Sequence, residues 1–222
     1  MSLFTQTLEA LDRQTHTLQT LYREHLQCRR GCSRCCETAT FRIRYIEALY
    51  LLKALTELPP ESAQQVLFQL NTPLAGTEQH CPFLLEGACS VYEHRPAICR
   101  AYGLPVRLGK DVGICELNFQ QEPPPAEGLQ VLELAPFYEV LNELSQQFWQ
   151  QQPLSAVSAA STARAEEAEA PLLSIRVYLQ RLLQTVAANT SGNDNHSQWQ
   201  SHPQQATLAV EPSVATNPNQ PL

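Results

Sequence analysis

The sequence predicts a mainly α fold: a small helical domain organised around a cysteine cluster, with short extended segments and a disordered C-terminal tail. Two observations carry that expectation. Apolar residues recur at three- and four-residue steps in several separate windows, and seven of the eight cysteines fall between Cys28 and Cys99. Four of the thiols stand in one run, Cys28-Arg29-Arg30-Gly31-Cys32-Ser33-Arg34-Cys35-Cys36, so they can hardly avoid one another in space.

The elements follow in order. Leu3, Phe4, Leu8, Leu11, Leu18, Leu21 and Tyr22 mark an amphipathic helix over roughly 3–27 that delivers Cys28 at its C-terminal end. Gly31 then ends the helix and lets the chain turn. Ile43, Ile46, Leu49, Tyr50 and Leu52 predict a helix over roughly 43–57 that stops at Pro59-Pro60. Pro60 opens a third helix with Val66, Leu67 and Leu70 on one face. A loop is expected from Asn71 to Gln79, then two very short extended pieces around a Gly turn between Cys81 and Tyr92. Arg95-Pro96 begins a short helix that carries Cys99 and ends at Gly103. Residues 104–128 read as loop, and Phe137, Leu141, Leu144 and Phe148 predict a helix over roughly 135–150.

These elements divide the chain into a cysteine-cluster domain over 1–150, with its motif core at 25–118, a linker and short helix over 151–188, and a disordered tail over 189–222. The tail is rich in Asn, Gln, Ser, Pro and Thr and has only two charged residues, so it buries too little apolar surface to offset chain entropy.

The net charge of −7 is uneven: residues 1–115 carry 12 basic and 11 acidic side chains, residues 116–222 carry 3 and 11. No basic stripe marks a nucleic-acid partner, and no run approaches the roughly 18 apolar residues of a membrane span. The N-terminus lacks a basic region, an apolar core and a small-residue cleavage site. A cytoplasmic protein is therefore expected, and a reducing compartment favours metal binding or catalysis over disulfides for clustered cysteines.

Soft thiolates select zinc, copper(I) or iron–sulfur iron over hard cations. The Cys32-x2-Cys35 spacing lets one tight turn aim two sulfurs at one ion. Cys35 and Cys36, being adjacent, point about 100° apart on a helix and suit two centres or two corners of a polynuclear one. Eight cysteines are compatible with two four-sulfur sites, or with one four-cysteine cluster and a second site completed by water or substrate. Because Cys35 and Cys36 diverge, at least one sulfur of the 28–36 run is expected to share a centre with Cys81, Cys89 or Cys99. The candidate metal ligands are thus Cys28, Cys32, Cys35, Cys36, Cys81, Cys89, Cys99 and Cys115. Five arginines (Arg29, Arg30, Arg34, Arg42, Arg44) against one acid, Glu37, are placed to offset thiolate charge. Arg34 and Arg100, the latter beside Cys99, are the candidate cofactor-binding cations. His25, His80 and His94 read as surface or hydrogen-bonding residues.

The ordered set C-x3-C-x2-C-C, Cys81-Pro82-Phe83-Leu84, Gly87-x-Cys89-Ser90-Val91-Tyr92, Arg95-Pro96-x-x-Cys99-Arg100-x-Tyr102 and Cys115 resembles the YkgJ-like cysteine-cluster family. The resemblance covers roughly residues 25–118 and implies a zinc- or iron-chelating domain. A similar cysteine motif occurs in flagellin lysine methylases, which implies iron–sulfur chemistry on S-adenosylmethionine as the alternative; no glycine-rich nucleotide loop accompanies it here.

The sequence thus reads as a metal-binding protein holding zinc or iron, with an iron–sulfur cluster as one form, that serves a protein partner or metal handling. The alternative is an iron–sulfur oxidoreductase or protein-modifying enzyme with Cys36 or Cys115 as reactive thiol. A pocket lined by Arg95, Arg100 and Tyr102 would favour the enzyme. The lack of a nucleophile–base pair or paired carboxylates favours the module.

Overall fold

The N-terminal helix α1 (Leu3–Leu21) begins at Ser2, whose hydroxyl accepts the Thr5 N–H, and buries Phe4, Leu8, Leu11 and Leu18 on one stripe. The computed structural model describes residues 2–29, 31–38, 41–72, 80–124, 127–151, 170 and 172–191. Two further pairs of elements follow: α2 (Arg34–Thr38) and β1 (Arg42–Ile43), then α3 (Tyr45–Glu57) and α4 (Pro60–Asn71). A hairpin of β2 (Leu84–Leu85) and β3 (Ala88–Cys89), a 3-10 turn (Tyr92–His94) and α5 (Ala97–Ala101) complete the cysteine-rich half. Beyond it lie β4 (Val106–Leu108), β5 (Asp111–Gly113), β6 (Leu132–Glu133), α6 (Ala135–Gln151), β7 (Leu173–Ser174) and α7 (Ile175–Ser191). The fold is mainly α, as its periodicity predicts.

Two apolar cores meet along α3. The first joins α1, α5 and α6 through Leu11, Ile46, Ala97, Leu104, Leu134 and Leu141. The second joins α3, α4 and α7 through Leu51, Leu55, Val66, Leu70, Phe83, Tyr178 and Leu179, and the half-buried Cys81, Cys89 and Cys99 pack against it. The α7 helix is therefore part of the body of the protein rather than an appendage beyond residue 150. Residues 189–191, expected in the tail, complete this helix; the rest of the tail, and the linker at 152–169, lie outside the described residues.

Glu47 ties the two cores together. Its carboxylate is fully buried and accepts the N–H of Arg44 at the start of α3 and that of Ala97 at the start of α5, each at 2.8 Å. Burial raises its pKa, and these hydrogen bonds and the Arg44 charge act in the opposite direction. One side chain thus caps two helices and sets the position of α5, which carries Cys99.

Two local expectations need correction. The first helix stops at Leu21, not near residue 27. Beyond it the backbone is held by distant groups: the Tyr22 hydroxyl bonds the main chain of Gln130, and the Gln27 N–H donates to the Asn118 side chain. Gly31 accordingly sits in the loop before α2, at φ +92°, rather than at a helix end. The supposed loop over 104–128 contains a β4–β5 hairpin, turned at Gly109 and flanked in parallel by β6. Its three-residue strands are too short for alternation to register.

Candidate metal centre

The structure brings the two sequence groups of cysteines together. Cys35 and Cys36 ride on α2, whose first turn is closed by the Cys36 and Glu37 N–H groups donating to the Ser33 carbonyl. The Cys81 N–H donates to the Cys36 carbonyl at 2.8 Å, and the Cys81 thiol raises the pKa of Cys36. The β2–β3 hairpin sets Cys89 opposite Leu84, with Glu86 and Gly87 at positive φ in the turn. Cys99 on α5 has Cys35, Cys36 and Cys89 as its principal thiol neighbours. Cys35, Cys36, Cys81 and Cys99 line a cleft of about 40 Å³ with His80, Phe41 and the Ser174–Arg176 stretch of β7 and α7. That is room for an ion or a water or two.

Cys28, Cys32 and Cys115 form the other neighbourhood. Cys28 has Cys32, Cys115 and Cys35 as its thiol neighbours, and Cys115 has Cys32. Asn118 knits them: its N–H donates to the Cys115 carbonyl at 2.9 Å and its side-chain amide donates to Cys28 Sγ at 3.5 Å. The same amide also reaches the Gly103 carbonyl at 2.6 Å, and its oxygen accepts the Gln27 N–H at 2.7 Å. Gly103 is required here, since at φ +99° a Cβ would stand 2.5 Å from Cys28 Sγ. Tyr102 acts to lower the Cys115 pKa, and an Arg34–Glu116 ion pair at 2.6 Å ties α2 to the Cys115 segment.

All eight thiols are unpaired by disulfides. Burial raises Cys28, Cys89, Cys99 and Cys115, with repulsion between neighbouring thiolates adding to it. Cys35 is raised by its hydrogen bond with Cys36 and then by burial. At Cys36 the hydrogen bond from Cys35 lowers the pKa, but the Cys81 hydrogen bond and burial outweigh it and push the thiol up to about 12. A cation among such groups removes the repulsion and stabilises the thiolates. Among the described residues, no three Cys, His, Asp or Glu side chains already stand at the spacing of a metal shell. Beside Cys89, the buried Ser90 hydroxyl has no hydrogen-bond partner among the described residues, a donor available to a thiolate. The donor set therefore fits a soft metal.

The arginines expected to offset thiolate charge have other partners where the structure describes their contacts. Arg44 lies buried over the Tyr138 ring and bonds Asn142, Arg34 pairs with Glu116, and Arg30 lies outside the described residues. Instead Arg95, stacked on Tyr92, lowers the pKa of Cys35 and Cys89, and the Arg176 charge interacts with Cys81. Arg100 is buried and serves as a clamp: it donates to the carbonyls of Arg95 and Glu93 and pairs with Asp12 of α1 at 2.5 Å. The cleft is lined by Arg176 rather than by Arg95, Arg100 and Tyr102. His25 stacks on Phe119, and His94 packs on Tyr50 beside Glu57. Asn118, Glu47 and Arg176 are the residues that sequence reasoning missed; a lone Asn, Glu or Arg carries no spacing signal, and each acts across a long separation.

Residues 27–116 match the model of the CxxCxxCC family, described as "Putative zinc- or iron-chelating domain". The matched segment holds all eight cysteines and is less than half of the chain. The cysteine-cluster family that the motifs resemble is thus found at the level of this domain. No curated protein and no solved structure matches the chain.

Proposed function

We propose that this chain is a cytoplasmic metal-binding protein whose cysteine cluster holds zinc or iron and serves a protein partner or metal handling. The observation that carries the reading is the junction of Cys36 with Cys81, made through the main chain beside a cleft that both line with Cys35 and Cys99. It joins the two sequence groups at one place, with Cys89 and Cys99 close by. Soft donors at that density suit zinc or iron–sulfur iron. Held by α2, the hairpin and α5, such a centre fastens three short elements that have little apolar core of their own, a role in which binding free energy becomes folding free energy.

A second reading, an iron–sulfur oxidoreductase or protein-modifying enzyme related to flagellin lysine methylases, draws support from the cleft. A closed structural site has no need of an opening, whereas Cys35, Cys36, Cys81 and Cys99 share one with His80 and Arg176. Anaerobic purification followed by metal and acid-labile sulfide analysis with an absorption spectrum decides between them. Stoichiometric zinc without colour supports the binding module. Iron with labile sulfide and visible absorption supports the second reading, and a folded chain without metal overturns both.

A further inference from the structure

The cleft that Cys35, Cys36, Cys81 and Cys99 line is also lined by Arg176, and we infer that it is a binding site for a small carboxylic acid, whose carboxylate the Arg176 guanidinium holds beside the thiols. This rests on the metal-binding reading above and assigns the class of ligand that the same cleft admits.

Arg176 is fastened from behind. Its Nη1 donates to the carbonyls of Gln69 and Leu70, the latter at 3.2 Å. Both belong to the last turn of α4, where carbonyls have no partner within the helix. Gln180 Nε2 donates to the same Leu70 carbonyl at 2.6 Å. The segment leading into Arg176 is held as well: β7 pairs with β1 in the register Arg42 to Ser174 and Ile43 to Leu173, and Ile175 is buried in the second core. A cation placed by the fold in advance binds a ligand without first having to be ordered.

Nε and Nη2 are left over. Among the described residues neither has a hydrogen-bond or ion-pair partner, and no cleft thiol takes that place. These two nitrogens present parallel N–H bonds along one edge of the guanidinium, the edge that matches both oxygens of a carboxylate. No Asp or Glu lines the cleft among the described residues. Burial accordingly lowers the Arg176 pKa, with only Cys81 acting the other way. A half-buried cation in an open cleft, with a two-donor edge free and no acid of its own chain, suits an acid that comes from outside.

Size and charge narrow the class. A cleft of about 40 Å³ takes a group of a few atoms. A carboxylate brings one negative charge to one guanidinium, whereas a phosphate dianion adds a second beside groups that are themselves anionic when ionised.

The test is a nuclear magnetic resonance titration of the full, nitrogen-15-labelled chain, reduced and loaded with zinc, with acetate as the probe and chloride at equal ionic strength as the reference. The Arg176 Nε–H signal, identified by its loss in Arg176→Lys, is expected to move saturably with acetate and not with chloride. The amide signals of Cys81 and Ile175, which line the cleft, should move with the same apparent Kd. In Arg176→Lys, which keeps the charge and lacks the two-donor edge, those amides should report binding at least about tenfold weaker. An unmoved Arg176 signal, an equal response to chloride, or undiminished binding in Arg176→Lys overturns the inference. If Arg176→Lys fails to fold, Arg176→Gln serves in the same comparison. A chain that retains zinc and ignores acetate removes this inference alone; a folded chain that retains no zinc removes the metal-binding reading and the inference with it.

Discussion

The Cys81 N–H donates to the Cys36 carbonyl at 2.8 Å, and the Cys81 thiol raises the pKa of Cys36. The backbone bond does not depend on metal, so it holds the two cysteine groups in register before any ion arrives. Loop closure between segments this far apart costs entropy, and the backbone bond with the second apolar core meets part of that cost in advance. Cys81, Cys89 and Cys99 all pack against this core.

Asn118 is the strongest single-residue test of how the Cys28 side is built. It is buried, and it satisfies the Gly103 carbonyl, the Gln27 N–H and the Cys28 thiol together. Asn118→Ala leaves those groups without partners, and each buried orphan costs about 1–3 kcal/mol. Urea denaturation is expected to show a loss in that range, with faster alkylation of Cys28. Unchanged stability and alkylation would mean that water replaces the side chain at no cost.

Arg100→Met tests the clamp between α1 and α5. The substitution keeps much of the volume but removes the pair with Asp12 and the donors to the Glu93 and Arg95 carbonyls. Hydrogen bonds to charged groups contribute about 1.5–3 kcal/mol each, and Asp12 is half exposed, so a loss on the order of 3 kcal/mol is expected. If Arg100 instead acts chiefly on a bound cofactor, thermal stability of the metal-free chain will not change.

Leu179→Ala asks whether α7 belongs to the folded body. Leu179 is fully buried in the second core with Tyr178 and Ile175. Truncating a buried leucine costs about 2–5 kcal/mol, so the whole chain is expected to unfold at lower denaturant in a single transition. A separate early transition confined to the C-terminal helix would contradict the packing described.

His94 supplies a pH dependence. Burial lowers its pKa from 6.5, the Glu57 carboxylate pulls the other way, and Lys53 and Arg100 lower it further while Glu93 raises it. The folded-state pKa is thus below the unfolded one, so the unfolded chain binds the proton more readily. The stability at stake is fully present above the unfolded pKa, near 6.5, and is lost as pH falls through the folded value. The stability difference between the unsubstituted chain and His94→Gln should accordingly change between neutral and mildly acid pH. A difference flat across that range would remove the argument.

Much of this was legible in the sequence, and the limits have a physical pattern. The α3, α4 and α6 helices follow from apolar spacing with proline or turn punctuation, and the Gly87 turn between β2 and β3 is written in the chain. What escaped reading depends on contacts between distant segments. The α1 helix ends early where Tyr22 and Gln27 bond residues near 118 and 130. The α7 helix has an ordinary amphipathic pattern, and nothing local says that Leu179 meets α3 and α4. At the site, the approach of the 28–36 run to Cys81 could be argued from spacing, whereas Cys35 and Cys36, expected to diverge, line the same cleft. The arginines could be read only in part: density in sequence suggested Arg29 to Arg44 and the motif named Arg95, which acts on Cys35, whereas nothing local points to Arg176, which acts on Cys81. Side chains that long choose partners in three dimensions.

The central claim is that thiols from both sequence groups ligate a metal. X-ray absorption at the zinc or iron edge of the full chain, purified anaerobically, tests it most directly. The account predicts a shell dominated by sulfur at about 2.3 Å, with sulfur coordination reduced by Cys36→Ser and by Cys81→Ser alike. A shell of nitrogen and oxygen only, or a sulfur shell untouched by Cys81→Ser, would contradict it.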